Sequence, residues 1–181
     1  MILQDSEILR RLHEDPNFDI KPIDVENQIQ PATVDMRLGD TFLEFRQDPT
    51  RSHIDPVEDT DEYVEEVQIE DGAYILNPGE FILGHTLERY TMPPDLVGIV
   101  HGRSSWARLA VVPHLGGLID PGYEGKITLE MANLGHMPIK LYPGMRFCQM
   151  TYHQTIGPSD NPYDGKYQGD NSVARSRLSE E

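Results

Sequence analysis

The stretch that decides the fold is Gly116-Gly117-Leu118-Ile119-Asp120-Pro121-Gly122-Tyr123-Glu124-Gly125-Lys126-Ile127-Thr128-Leu129-Glu130. It reads as strand, turn, strand. Asp120 closes the first apolar run, and Asp120-Pro121-Gly122 supplies the turn chemistry. From Lys126 the residues alternate, so Ile127 and Leu129 share one face while Lys126, Thr128 and Glu130 share the other. If the apolar pair faces a core, Glu130 points into solvent or into a cleft. On its own, an exposed strand carboxylate would read the same way.

The same grammar extends in both directions. Short apolar or β-branched runs occur at Thr41–Phe45, Tyr63–Ile69, Ala73–Leu76, Phe81–Thr86, Leu96–His101, Lys126–Met131, Ile139–Tyr142 and Phe147–Tyr152. Asn77-Pro78-Gly79, Pro93-Pro94-Asp95 and Pro143-Gly144 punctuate them. Many short strands of this kind predict an all-β-dominated fold, a distorted, jelly-roll-like β-barrel. The exception is at the start, where Ser6 reads as an N-cap and Ile8, Leu9 and Leu12 space the apolar face of a short helix that ends before Pro16. Residues 47–62 read as an exposed acidic loop. Residues 154–181 have few apolar anchors and would order only against the body, a neighbouring subunit or a ligand.

A length of 181 residues suits one domain with a full core, and 38% hydrophobic with 25% charged residues suits a soluble one. There is no run of about 18 apolar residues, so no membrane span is expected. The opening segment has early acidic residues and no apolar core of a signal peptide. The single cysteine, Cys148, fits a cytoplasmic protein rather than a disulfide framework. A net charge of −16 argues against nucleic-acid binding, because phosphates would be repelled. The only lysines are Lys21, Lys126, Lys140 and Lys166, a pattern that also fits solubility at high salt.

Within so acidic a chain, Gly102-Arg103-Ser104-Ser105-Trp106-Ala107-Arg108 stands apart. It follows an expected strand and opens a short helix. Backbone N–H groups, two hydroxyls and two guanidiniums can grip a polyphosphate, although an N-cap and an ordinary surface helix share that spacing. The tail gathers Tyr163, Lys166, Tyr167, Gln168, Arg175 and Arg177, the cations and aromatics that a lid over a phosphorylated ligand requires. A zinc deaminase is excluded, since there is no His-x-Glu motif and only one cysteine. Walker A and G-x-G-x-x-G motifs are absent, and the seven histidines have no ligand spacing.

Taken in order, several segments resemble the dCTP deaminase family, which shares a superfamily with the trimeric dUTPases. They are Met1-Ile2-Leu3, Gln30–Gly39, Gly102–Arg108, Ile119–Gly122, Gly125–Glu130, Pro143-Gly144-Met145 and Pro162-Tyr163 with Lys166-Tyr167. The resemblance implies a dUTPase-like barrel with a flexible C-terminal lid, a homotrimer with sites between subunits, and Mg²⁺ carried on the substrate triphosphate without zinc. It implies that Arg103, Ser104, Ser105, Trp106, Ala107 and Arg108 line the triphosphate and sugar, with Gln149 also on the substrate. Asp120 would sit at the deoxyribose or base, and Thr128, Leu129 and Glu130 at the base. Tyr163, Lys166 and Asp170 would close from the tail. Glu130 would be the catalytic proton shuttle that converts dCTP to dUTP and ammonia.

Some members of the family go on to dUMP and diphosphate. Gly117-Leu118, Gln149 and Lys166-Tyr167-Gln168-Gly169 lean toward that type. Val112-Pro113-His114-Leu115-Gly116-Gly117 reads one residue shorter than the family pattern and lacks its threonine. Asp170 stands where many members have glutamine. A dUTP diphosphatase using Asp120 to orient water, and a non-catalytic nucleotide binder, are the alternatives left open.

Overall fold

A computed structural model describes residues 1–46, 52–57, 61–113 and 116–180. Residues 47–51 and 58–60 of the expected acidic loop, together with His114 and Leu115 of the shortened segment, lie outside the described residues. The chain is mostly β. Its strands are β1 (Asp19–Lys21), β2 (Val34–Arg37), β3 (Thr41–Phe45), β4 (Val64–Gln68), β5 (Tyr74–Leu76), β6 (Phe81–Thr91), β7 (Leu96–Gly102), β8 (Val111–Pro113), β9 (Leu118–Ile119), β10 (Glu124–Asn133), β11 (Ile139–Leu141) and β12 (Arg146–Gln154). The helices are α1 (Asp5–Glu14), α2 (Val25–Gln28) and α3 (Ser104–Ala107).

Three sheets enclose the core. One runs β4-β3-β6-β10-β8 with β1 also on β6, the second runs β2-β12-β7-β9, and β11 pairs with β5. All the pairings between these strands are antiparallel, and the sheets do not close on one another by strand pairing. Phe42, Leu76, Ile82, Leu129, Met131, Phe147 and Tyr152 fill the space between them. A distorted barrel of this β-dominated kind is what the turn punctuation predicts.

At the start of the chain the observed helix differs from the expected one. Its N-cap is Gln4, Ser6 lies inside the first turn, and the Ser6 amide is taken by the Asp5 carboxylate at 2.7 Å. Leu9 is exposed, whereas Ile8 and Arg11 are buried. Arg11 clamps the helix to the body through Asp95, with Nη2–Oδ1 at 2.7 Å.

The longest strand pair, β6 with β10, positions the functional face. Its register shifts between Lys126 and Thr128, and the Ile127 amide at that bulge donates to the Thr86 hydroxyl at 3.0 Å. The bulge is therefore satisfied, and it aims the side chains that follow. A buried network ties β2 to β6. The fully buried Glu88 carboxylate accepts from Arg37 Nε at 2.6 Å and from Gln28 Nε2 at 2.9 Å, and Gln28 also donates to the Asp35 carbonyl at 2.7 Å. Burying a carboxylate at this depth is tolerated because its lone pairs are taken.

The segment after β12 folds against the body of its own chain. Tyr163 N–H donates to Pro121 O at 2.8 Å, Gly169 N–H to Glu124 O at 2.7 Å, and Lys126 N–H to Asp170 O at 2.7 Å. Tyr163 and Tyr167 rest on the core as its main apolar anchors.

Candidate active site

β10 alternates as its sequence requires. Gly125, Ile127, Leu129, Met131 and Asn133 are buried, while Lys126, Thr128 and Glu130 are half-buried on the opposite face. That face forms one wall of a cleft of about 1050 Å³. Asp120, Thr128, Glu130, Tyr163, Lys166 and Asp170 all line it, as do Gly116, Leu118, Tyr123 and Arg175. The fold thus brings six of the residues expected in the site into one cavity. A methyl group at Gly116 would come within 3.9 Å of Glu130 Oε1, so the glycine loop runs close beside the carboxylate. Apolar side chains extend the same wall, since Leu83 of β6 stands directly across the ladder from Glu130 and Phe81 packs on Phe45 with ring centroids 5.6 Å apart. A cleft of this composition suits a flat ring gripped by a few polar groups.

The tail roofs the cleft through specific bonds. The Gln168 side chain accepts from Glu124 N–H and donates to Gly122 O, both at 2.9 Å. Ala174 N–H donates to Thr128 Oγ1 at 2.9 Å. The Tyr123 and Tyr163 rings pack 5.8 Å apart, and Tyr123 is buried, which pushes its phenol above the ordinary range. Asp170 is paired with Arg177, Oδ1 to Nη2 at 2.8 Å, and that bond raises the Arg177 guanidinium further above its usual value. The Arg177 guanidinium thus neutralises the Asp170 carboxylate within the tail. Arg177 also lies 5.1 Å over the Tyr167 ring and donates to Lys166 O.

Arg103 to Arg108 are placed elsewhere. Neither they nor Gln149 line the cleft. Arg103 is the N-cap of α3, and Ser104, Ser105, Ala107 and Arg108 are exposed around that turn. Gln149 sits beside them, its Nε2 donating to Gly102 O at 3.3 Å. Two of the expected contact residues turn inward. The Trp106 ring is buried 5.1 Å from Phe147 and its indole N–H donates to Arg146 O at 3.0 Å, and the Leu129 side chain is wholly in the core. Only their backbone, and for Trp106 the rim of a buried ring, is left for a ligand.

The α3 patch also contains two residues not anticipated from sequence. Asp35, 2% exposed, faces Arg103 at 3.3 Å and Arg146 at 3.2 Å. Burial pushes the Asp35 carboxyl above its usual value, and the two guanidiniums oppose that rise. An acidic residue set within the apolar run of β2 was the available signal. Among the described residues, no group of three His, Cys, Asp or Glu side chains is placed to hold a metal ion.

An open β-barrel with a polar strand face under its own C-terminal segment defines a class of small-molecule-binding protein, and comparison with known proteins gives the family. The family model described as dCTP deaminase-like matches residues 2–155. A protein of Natronomonas pharaonis named dCTP deaminase is 48% identical, with 98% of this chain and 95% of that one covered. A protein of Halobacterium salinarum named dCTP deaminase, dUMP-forming, is 47% identical over the same shares. The crystal structure of 2′-deoxycytidine 5′-triphosphate deaminase from Agrobacterium tumefaciens superimposes with a TM-score of 0.67 at 25% identity, covering 84% of this chain and 48% of that one. The chain belongs to the dCTP deaminase-like family.

Proposed function

We propose that this chain deaminates dCTP hydrolytically and carries the product on to dUMP and diphosphate. The observation that carries the reading is the placement of Glu130. It is a half-buried carboxylate on the cleft face of β10, beside Thr128 and under a tail that brings Tyr163 and Lys166 to the same cavity.

In this reading water adds to C4 of the cytosine ring. Glu130 takes a proton from that water and passes it to N3 of the ring, then moves the proton of the new C4 hydroxyl to the amine, which leaves as ammonia as the C4 carbonyl forms, so that dCTP and water give dUTP and ammonia. The backbone around Thr128, Leu129 and Gly116 borders the base. Asp120, at the end of β9, faces the sugar and is placed to orient a second water for diphosphate release, giving dUMP. Tyr163 and Lys166 close on the phosphates, with Asp170 held off by Arg177. Mg²⁺ is brought by the substrate triphosphate.

Arg103, Ser104, Ser105, Arg108 and Gln149 complete the site from a neighbouring copy in a homotrimer. Their position off the cleft of their own chain, on an exposed turn, supports this arrangement. The protein acts as one domain with residues 154–181 as its lid, in the cytoplasm. No helix of the described residues is long and apolar enough to cross a membrane.

The test is to incubate the protein with Mg²⁺ and either dCTP or dUTP, following ammonia, diphosphate and nucleotide together. Ammonia, diphosphate and dUMP from dCTP are expected. Cleavage of dUTP with dCTP untouched would leave a dUTP diphosphatase, and tight binding of dCTP without turnover would leave a nucleotide-binding protein.

A further inference from the structure

The α3 patch contains a charge arrangement that the function above does not use. Asp35 lies in the middle of β2, opposite Gln149 on β12, and is almost fully buried. Its Oδ2 faces Arg103 Nη2 at 3.3 Å and Arg146 Nη1 at 3.2 Å. The two arginines are also joined to each other, because Arg146 O accepts from Arg103 Nη1 at 2.9 Å and from the Trp106 indole at 3.0 Å. Arg146 Nη1 is anchored a second time on Asn27 O at 2.8 Å. Glu88, the other buried carboxylate nearby, is occupied by Arg37 and Gln28.

A buried carboxylate loses hydration, so it persists where its partners and hydrogen bonds replace that water. One arginine would suffice as a strut. Here one carboxylate holds two, from opposite ends of the patch, leaving a local charge of +1 in a chain whose net charge is −16. A guanidinium has five N–H donors, so after these bonds each fork keeps donors for an anion. A fork fixed in advance binds phosphate with less ordering than a free one.

We infer that Asp35 is the positioning residue of the triphosphate grip, fixing Arg103 and Arg146 as one clamp, and that Arg146 is a further phosphate-binding residue. This rests on the assignment of the α3 turn to the triphosphate. The sign of one substitution separates positioning from simple charge. Asp35→Asn keeps the shape and removes a negative charge. By electrostatics alone it would tighten binding of an anion. If Asp35 positions the clamp, binding becomes weaker instead.

The experiment measures dissociation constants for dCTP with Mg²⁺ and for dCMP by calorimetry, in the full-length protein carrying Glu130→Gln so that substrate is not consumed. With Asp35→Asn added, the dCTP constant should rise about tenfold while that of dCMP stays within about twofold, because only the triphosphate reaches the clamp. Unchanged or tighter dCTP binding, or equal losses for both nucleotides, would overturn the inference. Arg146→Gln gives a second reading should Asp35→Asn fail to fold, with the same selective loss for dCTP expected and an unselective one contradicting it. Arg103→Lys distinguishes the two levels. If it leaves dCTP affinity intact, the assignment of α3 to the triphosphate fails. If it loses affinity while Asp35→Asn and Arg146→Gln do not, only the clamp fails.

Discussion

The Ala174 amide donates to Thr128 Oγ1 at 2.9 Å, so the tail is tied to the same strand face that presents Glu130. Thr128→Val keeps the shape of the side chain and removes the acceptor. One such bond is worth about 1 kcal/mol net, or roughly a fivefold change in local opening. Amide exchange at Ala174 should quicken by about that factor, and kcat/KM for dCTP should fall by roughly tenfold, since Thr128 also borders the base. Unchanged exchange at Ala174 would show that the tail is held by other contacts.

Gly122 is the hinge of the contact between turn and tail. Its φ is +86°, and a methyl group there would lie 2.5 Å from Pro162 Cβ and 3.1 Å from the Tyr163 amide. Gly122→Ala therefore meets both backbone strain and a collision with the tail. The expected outcome is a displaced tail, with tryptic cleavage after Lys166 markedly faster and turnover reduced by at least tenfold. The thermal midpoint should fall by a few degrees only, because the core is untouched. A tail that stays protected would contradict this placement.

Much of this was legible in the sequence because it depends on local rules. Turn residues and alternation located the β3, β6, β10 and β12 ladders, and the period of two correctly separated Ile127 and Leu129 from Thr128 and Glu130. The strands β1, β2 and β8 are only three or four residues long and exist through partners far away in the chain, so no local period announces them. The helix start was misplaced because Gln4 caps α1 without a side-chain bond, while Ser6 satisfies the usual preference from inside the first turn. In the site, the motifs named the chemistry, but not the division of the residues between the cleft and the α3 patch. That division follows from where β7 ends relative to β10. Asp35 and Arg146 escaped notice because their roles arise from pairing across the β2–β12 ladder.

Acid should destabilise the protein in two steps. Burial holds the His85 imidazole below its usual value near 6.5. A His whose folded pKa is depressed contributes stability that is complete above the unfolded value and lost as pH falls through the folded one. Arg11 holds the Asp95 carboxyl below its usual 3.8, so its contribution is complete above that value and lost at still lower pH. Asp35 works in the opposite direction, since burial raises it and protonation favours the folded form. Urea midpoints measured from pH 8 to pH 3 at fixed salt should decline first below about pH 6.5 and again below about pH 4. His85→Gln should remove the first decline and leave the second; persistence of the first decline would exclude His85 as its source.

Ala110 has a φ of +62°, the only described non-glycine residue in that region. It caps the turn after α3, accepting Leu134 N–H at 2.9 Å. The left-handed conformation costs an L-residue about 1–2 kcal/mol, and glycine returns about 0.5–1 kcal/mol of that as extra freedom in the unfolded chain. Ala110→Gly should leave stability unchanged or raise it by up to about 1 kcal/mol in urea unfolding. A loss of that size would mean that the methyl group contributes packing that outweighs the strain.

The central claim is that the Glu130 carboxylate moves the protons in deamination of dCTP. The most direct measurement compares Glu130→Gln with the unaltered protein for both dCTP binding and ammonia release. The account predicts a dissociation constant within a few-fold of the original and ammonia release lower by about 10²–10⁴-fold, the usual contribution of a general acid–base group. Ammonia release that continued at near the original rate would contradict the assignment.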